Sequence, residues 1–473
     1  MKRTIIARLL VALAALGSGV EGIRGQAPVT FTAGAANSYF GRSIARGDFN
    51  GDGVDDLLVG APGSLGNDVT GLRPDVALGR AYIFYGPDFT AFTELANPEG
   101  TTEDAFGWAV AAGPVGGANA AAYVSAPLAQ PASFGRVMSY LTPATDPAPS
   151  VTVNNPLPPS APPTSFGVSL TFAPAVTPAA SFLGVGATGF SAGSTDTNGL
   201  FWTVGAVSGA VSGGSLSPCI EPNFGAAIAY LPIVPFAGGT YIIGVPFAVR
   251  NYAAACIGQS QGRLHHGFPS GGVMGHWYQS DSASMGTSIA TGIVGTTGLR
   301  TAVGAPFTNE VFVFDRNPPA NNPFGGPGLH PVLGTPNTPN ILYGEPLQVV
   351  NVTGSGYGGR AVALADVNTD GELDLVVGAP GGSDGGRVIV YYGPAPYSDE
   401  NRADLPLPGL APGAGFCPDD FLGWSVAVGD YNGDGLPDLA AGRPCDGLSE
   451  EGSITVFFGC PEGGFCPPAP PAD

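Results

Sequence analysis

Three short segments of the chain carry acidic and amide side chains at the same alternating positions. In DFNGDGVDD, side-chain oxygens occupy positions 1, 3, 5 and 9, glycine occupies position 6, and position 7 can offer its backbone carbonyl. The residues at positions 1, 3, 5, 7 and 9 of this segment are Asp48, Asn50, Asp52, Val54 and Asp56. The same spacing recurs in two further sets, which are Asp366, Asn368, Asp370, Glu372 and Asp374, then Asp430, Asn432, Asp434, Leu436 and Asp438.

Oxygen donors at this spacing are typical of a calcium loop. Alternate side chains supply the ligands, glycine permits the sharp turn, and an all-oxygen donor set suits calcium better than zinc. The glutamate that an EF-hand needs at position 12 is replaced by Val59, Val377 and Ala441. The sequence therefore predicts three hairpin calcium loops, in which each ion stabilises the turn between two strands. The expected dissociation constant for calcium is about 10⁻⁴ to 10⁻³ M. The alternative is an acidic turn without metal.

The elements that must position these loops form an internal repeat. One strand motif recurs seven times, as FGRSIA, FGWAVA, FGVSLT, FGAAIA, MGTSIA, YGGRAVA and FLGWSVAV, and the last two are interpreted as carrying one extra residue. The copies start at Phe40, Phe106, Phe166, Phe224, Met285, Tyr357 and Phe421. A supersecondary unit that recurs at one period with variable loops is the signature of a repeat fold, and seven units are typical of a propeller.

Each unit reads as four short strands. The second strand ends in a turn such as DLLVGAP, the third opens on glycine, as in GRAYIFYG, and a weaker fourth strand follows in most units. The seventh unit has no fourth strand, whereas PVTFTA precedes the first unit, so Val29 to Thr32 are predicted to complete the last blade. The expected fold is an all-β, seven-bladed propeller of four-stranded antiparallel blades over residues 28–459, closed by the N-terminal strand.

These motifs resemble a known repeat. F-G-x-S-V-A followed by D-x-N-x-D-G-x-x-D-L-x-V-G-A-P is similar to the FG-GAP repeat of integrin α-subunit propellers. Similar repeats occur in bacterial exported proteins and in glycosylphosphatidylinositol-specific phospholipase D. The resemblance therefore implies a fold more firmly than a function. It also implies that ligands bind on the face opposite the calcium turns, which here includes the Gly63 to Leu78 loop and the Ala248 to Ser270 loop.

The terminal sequences and the net charge of the chain indicate its cellular location and its class of partner. Residues 1–22 carry two basic residues before a short apolar stretch, which is typical of a secretory signal peptide, with cleavage expected after Gly17 or Gly22. No later segment has about twenty uninterrupted apolar residues, so no membrane span is expected. A formal charge of −20 argues against a nucleic-acid partner. We expect a secreted protein with a Cys/Pro-rich tail over residues 460–473.

Six cysteines in an exported chain indicate disulfide bonds. Cys417 with Cys445, and Cys219 with Cys256, occupy loops expected on one face of a blade, and Cys460 would then pair with Cys466. Sequence alone does not decide among the 15 pairings that six cysteines allow.

Three motifs are assigned structural roles. Arg46, Gly47 and Asp48 spell RGD, but Asp48 is committed to the first calcium loop. His265 and His266 are interpreted as a solvated pair in the long loop of unit four. Trp108 and Trp424 are expected inside the blades rather than at a contact surface.

The leading functional hypothesis is an extracellular binding or adhesion module that recognises a protein or a glycan and is not an enzyme. One rival is the propeller part of a secreted hydrolase, phospholipase-like or carbohydrate-active. The other is a structural component of a cell surface or matrix.

Overall fold

Twenty-eight short strands make up the secondary structure that the computed structural model describes. The strands form seven four-stranded antiparallel sheets, and the described residues contain no helix. The predicted all-β, seven-bladed propeller is confirmed. The residues described are 26–33, 35–63, 78–98, 100, 104–115, 119–129, 135–157, 164–174, 181–189, 199–216, 223–231, 240–248, 261–267, 273–280, 282, 284–294, 298–316, 346–354, 356–381, 385–405, 421–447 and 449–466.

The first four blades follow one another along the chain. The strands of blade 1 are β2 (Ser43–Gly47), β3 (Asp56–Ala61), β4 (Arg80–Phe84) and β5 (Phe92–Glu94). Those of blade 2 are β6 (Val110–Pro114), β7 (Ala120–Ala126), β8 (Arg136–Tyr140) and β9 (Val151–Asn154). Those of blade 3 are β10 (Thr164–Ala173), β11 (Phe182–Gly189), β12 (Leu200–Gly205) and β13 (Val211–Leu216). Those of blade 4 are β14 (Ala227–Leu231), β15 (Thr240–Ala248), β16 (Gln261–Gly267) and β17 (Val273–Ser280).

The last three blades include the strand from the beginning of the chain. The strands of blade 5 are β18 (Ser288–Val294), β19 (Gly298–Ala305), β20 (Glu310–Arg316) and β21 (Gln348–Asn351). Those of blade 6 are β22 (Ala361–Ala365), β23 (Asp374–Ala379), β24 (Arg387–Tyr391) and β25 (Arg402–Leu405). Those of blade 7 are β26 (Val426–Gly429), β27 (Asp438–Arg443), β28 (Ser453–Phe457) and β1 (Val29–Phe31).

Strand β1 closes the ring, as predicted. It pairs antiparallel with β28, and Phe31 lies opposite Ile454. The Phe31 ring then reaches blade 1, where its centroid lies 4.8 Å from that of Phe84 and 5.0 Å from that of Phe89. The first and last blades therefore share one apolar cluster, and strand β1 belongs to it.

The glycine of the FG motif has the same backbone conformation in every blade. Its φ lies between +88° and +95°, a region that side-chain-bearing residues rarely adopt. The seven glycines are Gly41, Gly107, Gly167, Gly225, Gly286, Gly359 and Gly423. In blades 6 and 7 this glycine follows Gly358 and Leu422, so those two residues occupy the place of Phe40. The interpretation that these two motifs carry an extra residue is therefore wrong: they differ by substitution.

The glycine of the GAP motif allows neighbouring blades to touch. In six blades, a Cβ built on it would lie less than 3.0 Å from the carbonyl oxygen of the next blade's FG glycine. These glycines are Gly60, Gly186, Gly244, Gly304, Gly378 and Gly442. Blade 2 has Ser125 at this position, and the facing strand β10 carries a bulge. The repeat motif thus encodes the contact between blades as well as the strands within them.

Two expectations about unit four are wrong. His265 and His266 lie in strand β16 rather than in a solvated loop, so the Ala248 to Ser270 segment contains a strand. The His265 ring is buried and packs edge-on against Phe224, with centroids 5.3 Å apart. The third strand of this blade opens on the G-R-hydrophobic pattern at Gly262, Arg263 and Leu264, but the two histidines that follow interrupt the apolar sequence typical of such a strand.

Several expectations fall on residues outside the described ranges. The signal peptide, Gly17 and Gly22 lie there, as do most of the Gly63 to Leu78 loop and the cysteines at 219, 256 and 417. Within the part of the chain that the structure describes, no helix has both the length and the hydropathy to cross a membrane.

Candidate metal-binding loops

The three predicted loops occupy equivalent turns. Each joins the first strand of its blade to the second: β2 to β3 in blade 1, β22 to β23 in blade 6, and β26 to β27 in blade 7. Position 1 directly follows the first strand, and position 9 is the first residue of the second strand. Since blade 7 is completed by β1, the three loops lie on consecutive blades that flank the closure.

The aspartate at position 9 is the buried anchor of each loop. In blade 1, one carboxylate oxygen of Asp56 accepts a hydrogen bond from the Phe49 N–H (2.8 Å), and the other accepts from the Gly86 N–H (3.0 Å). Gly86 follows the third strand, so one carboxylate ties three strands together. Asp374 makes the same pair of bonds with the N–H groups of Val367 and Gly393, and Asp438 with those of Tyr431 and Gly459.

The outer carboxylates hold the loop backbone; those at position 1 are half-buried and those at position 5 are exposed. Asp48 accepts hydrogen bonds from the N–H groups of Gly51 (2.6 Å) and Gly53 (3.0 Å). Asp52 accepts one from the Val54 N–H (2.9 Å), and the Asn50 side-chain oxygen accepts one from the Asp52 N–H (2.9 Å). The loops of blades 6 and 7 repeat the bonds to positions 5, 6 and 7. The three sequences therefore impose one loop geometry.

Glycine is needed at position 6 because of its backbone conformation, and not because a side chain would clash with neighbouring atoms. Gly53, Gly371 and Gly435 have φ values of +87°, +88° and +85°, and a Cβ built on any of them would meet nothing within 4 Å. A side chain would fit the space but would strain the turn. Conformation alone accounts for glycine at this position.

Burial and mutual repulsion act on the anchor carboxylates. Burial raises the pKa of Asp56 to about 6; the two N–H hydrogen bonds oppose this shift, and the charges of Asp52 and Asp48 add to it. The pKa of Asp374 and that of Asp438 are each raised to about 6, again chiefly by burial. Each loop therefore concentrates negative charge that a cation would offset.

The donor set fits a hard divalent cation. Every loop offers three carboxylates, one amide oxygen and one backbone carbonyl within nine residues, which is the oxygen chemistry that calcium prefers. In the described ranges, no three His, Cys, Asp or Glu side chains are already grouped to hold a metal ion. The assignment therefore rests on donor chemistry and spacing.

The other sequence candidates have structural partners. Arg46 of the RGD tripeptide pairs with Asp55 (3.0 Å), although the arginine side chain is 58% exposed. Trp108 is buried beneath the Arg42 guanidinium, which lies 3.5 Å from the ring centroid, and Arg360 lies over Trp424 in the same way (4.0 Å). In both cases the arginine that follows the FG glycine stacks on a tryptophan of the next blade, a regularity that the motif alignment could have shown.

One predicted disulfide is present in the described residues. Cys460 is bonded to Cys466, as expected. Cys445 is also disulfide-bonded. Its predicted partner, Cys417, lies outside the described residues, as do both cysteines of the other expected pair.

An exposed aromatic pair was not predicted. Phe307, in the turn between β19 and β20, is 54% exposed, and Tyr357, in the loop before β22, is 44% exposed. Their ring centroids lie 5.6 Å apart at an interplanar angle of 81°. Both turns lie at the end of the blades opposite the candidate metal-binding loops. Neither ring has a strand periodicity that would mark it in the sequence.

Comparison with known proteins identifies the loop-bearing blades. The FG-GAP repeat model matches residues 40–84, 358–391 and 422–457, which are the parts of blades 1, 6 and 7 that contain the three loops. Blades 1, 6 and 7 are FG-GAP repeats. The matched segments begin at Phe40, Gly358 and Leu422, in agreement with the structural alignment of the FG glycines.

The FG-GAP segments are related to two kinds of protein. Phosphatidylinositol-glycan-specific phospholipase D from Bos taurus is 44% identical over 113 residues, which is 22% of this chain and 14% of the phospholipase. Integrin alpha-7 from Homo sapiens is 37% identical over 127 residues, which is 25% of this chain and 9% of the integrin. Integrin alpha-3 from Cricetulus griseus is 40% identical over 100 residues, or 20% and 9% of the two chains. The shared segment thus spans about a seventh or less of each relative.

The chain also resembles a solved structure, although weakly. The "Crystal structure of BBS1N in complex with ARL6DN, soaked with mercury" aligns with a TM-score of 0.44 and 14% identity. The alignment covers 95% of this chain and 96% of that one.

Proposed function

We propose that this chain is an exported, calcium-stabilised FG-GAP propeller that serves as an extracellular binding or adhesion-type module. The observation that carries the proposal is the set of three loops with one geometry on consecutive blades around the ring closure. Calcium in these loops is structural: each ion offsets the repulsion among three carboxylates and holds the first two strands of its blade together.

A binding role is favoured over a catalytic one by the extent of the similarity. The segment shared with the phospholipase is 14% of that protein, and segments of similar length are shared with integrin alpha subunits. What these relatives have in common with the chain is therefore the repeat. The apolar sequence at residues 1–22 supports export, and extracellular calcium is present at millimolar concentration, within reach of loops of about 10⁻⁴ to 10⁻³ M affinity.

Calcium is expected to raise the melting temperature by several degrees. At about ten times the dissociation constant, each occupied loop stabilises the folded state by about 1.4 kcal/mol. The measurement is a thermal melt with excess calcium and with a chelator. The matched control replaces the three position-5 aspartates by asparagine in one protein, D52N/D370N/D434N. An equal calcium-dependent shift in this control would contradict the assignment of calcium to the loops.

The binding surface that we propose is centred on Phe307 and Tyr357. Hydrogen bonds fix the backbone at both rings. The Phe307 N–H donates to the Ser284 hydroxyl (3.1 Å). Gly356, which precedes Tyr357, exchanges two backbone hydrogen bonds with Gly381 (2.8 Å each). Rigid aromatic side chains that remain exposed supply contact area at little entropic cost. The partner proposed for this surface is an extracellular protein or a glycan.

Removing both rings is expected to weaken binding at least about tenfold, because aromatic anchors carry much of the energy of an interface. The double variant F307S/Y357S would be compared with the unaltered protein on cell surfaces and on a glycan array. I293S is the control, since Ile293 is 57% exposed but lies at the calcium-loop end of β18. Equal binding by the double variant would exclude this surface.

A further inference from the structure

The loops of blades 1 and 7 are joined directly to each other. The backbone N–H of Asp55 donates to the carbonyl oxygen of Asp430 (2.9 Å). In return, the Asp430 N–H donates to Oδ2 of Asp55 (3.0 Å). Asp430 is position 1 of the blade 7 loop, and Asp55 is position 8 of the blade 1 loop, between Val54 and Asp56. Two hydrogen bonds therefore connect residues that supply or directly flank the proposed ligands of two different calcium ions.

The Asp55 carboxylate is held in place from two further directions. The Arg46 guanidinium lies 3.0 Å from Oδ2, although its side chain is largely exposed, so this ion pair adds little energy by itself. On the other side, Asp55 packs against the backbone of Gly429, where a Cβ would lie 2.7 Å from Oδ2. The absence of a side chain at Gly429 therefore leaves space for the Asp55 carboxylate. The two hydrogen bonds between Asp55 and Asp430 are called the bridge below.

Position 8 differs in the other two loops. In blade 7 it is Pro437, which has neither an N–H group nor a carboxylate, so it cannot make this bridge to blade 6. In blade 6 it is Leu373, whose side chain packs on Gly292 of blade 5. Blade 5 carries no loop of this type. The chemistry needed for the bridge is present at the junction of blades 7 and 1 and is missing from the junction of blades 6 and 7.

We propose that Asp55 couples calcium binding in the loops of blades 7 and 1, so that an ion in one loop raises the affinity of the other. This inference rests on the proposed calcium-binding function. An ion bound through Asp430 orders the backbone to which Asp55 is bonded, and Asp55 in turn positions the Val54 carbonyl and the Asp56 carboxylate. The second ion then meets a loop that is already ordered, and this produces positive cooperativity. The blade 6 loop binds independently of the other two.

The first experiment compares two pairs of loops by calorimetric calcium titration of the whole chain. D370N disables the blade 6 loop and leaves the loops of blades 7 and 1, which Asp55 bridges. D52N disables the blade 1 loop and leaves the loops of blades 6 and 7, which Pro437 prevents from forming such a bridge. In the D370N protein, the second ion is expected to bind about fivefold or more tightly than the first after statistical correction. In the D52N protein, the ratio of the two affinities is expected to be about one.

The second experiment breaks the bridge in the D370N background. D55L gives position 8 the residue found in blade 6, and G429A displaces the Asp55 carboxylate while all proposed ligands remain. Alanine is compatible with this site, because Ala365 occupies it in blade 6. Both variants are expected to bind two ions with an affinity ratio of about one. Far-UV circular dichroism and a single cooperative melt would confirm that they are folded.

The outcomes separate the two proposals. Two ions bound to the D370N protein with an affinity ratio of one would overturn the coupling and leave the calcium loops intact. A ratio that persists in both D55L and G429A would show that the coupling does not pass through Asp55, and would also overturn the inference. No calcium uptake by the unaltered chain would overturn the proposed function itself, and the coupling with it.

Discussion

Replacing Gly442 by alanine is expected to destabilise the propeller by about 3 kcal/mol, because the added methyl group has no space. Its Cβ would lie less than 3.0 Å from the Gly41 carbonyl oxygen, which is backbone and cannot swing away. That oxygen also accepts the Ser425 hydroxyl (2.7 Å), so forcing blades 7 and 1 apart would break this bond as well. Urea unfolding followed by intrinsic fluorescence would measure the loss.

The control for this substitution is Gly100 to alanine. The nearest atom to a Cβ at Gly100 lies 3.5 Å away, which is ordinary van der Waals contact. This variant is expected to stay within about 0.5 kcal/mol of the unaltered protein. A G442A protein as stable as G100A would show that the blades can separate freely at this junction, contrary to the structure.

Deleting residues 28–33 is expected to open the ring and to cause an even larger loss. The deletion removes strand β1, exposes the edge of β28 and takes Phe31 out of the aromatic cluster shared by blades 7 and 1. Phe31 is only 6% exposed, and truncating a buried phenylalanine alone costs about 3 to 5 kcal/mol. A sharply lower melting temperature and concentration-dependent aggregation through the freed edge are the expected results.

Two single substitutions make this prediction quantitative. F31A is expected to lose about 3 kcal/mol or more, whereas F92A is expected to lose about 1 kcal/mol, because Phe92 is 41% exposed on the outermost strand of blade 1. Both residues are aromatic and both lie on fourth strands, so the comparison isolates burial. If F31A and F92A melted at the same temperature, strand β1 would not carry the closure.

The locally encoded features could be predicted from the sequence. Short strands, their order in each blade and the position of each candidate metal-binding loop follow from residues close together in the chain. Side chains along a strand alternate between the two faces of the sheet with a period of two, and turns need glycine at defined places. Each nine-residue loop contains all of its proposed oxygen ligands. Closure by Val29 to Thr32 could also be predicted, since an unpaired edge in blade 7 required a partner strand and PVTFTA had none.

Errors arose where the repeat is degenerate. The predicted extra residue in the sixth and seventh motifs depends on Tyr357 and Phe421 being equivalent to Phe40, whereas the feature that all seven motifs share is a glycine with φ near +90°. The interpretation of His265 and His266 as a solvated loop pair rests on the absence of a partner cluster at ligand spacing, and it is wrong because both residues lie in strand β16. The structure places the His265 ring beside Phe224, in the blade core, where the position in the strand decides burial more strongly than the residue type.

The candidate metal-binding loops show the same division. Sequence alone determined which residues in each loop offer oxygen, because the donors are neighbours in the chain. Tertiary structure alone decided that Asp55 meets Asp430, since 375 residues separate them and only ring closure brings blade 7 against blade 1. Local spacing predicts turns and strands, and an unpaired edge predicts closure, but neither specifies which residues of the two joined blades contact each other.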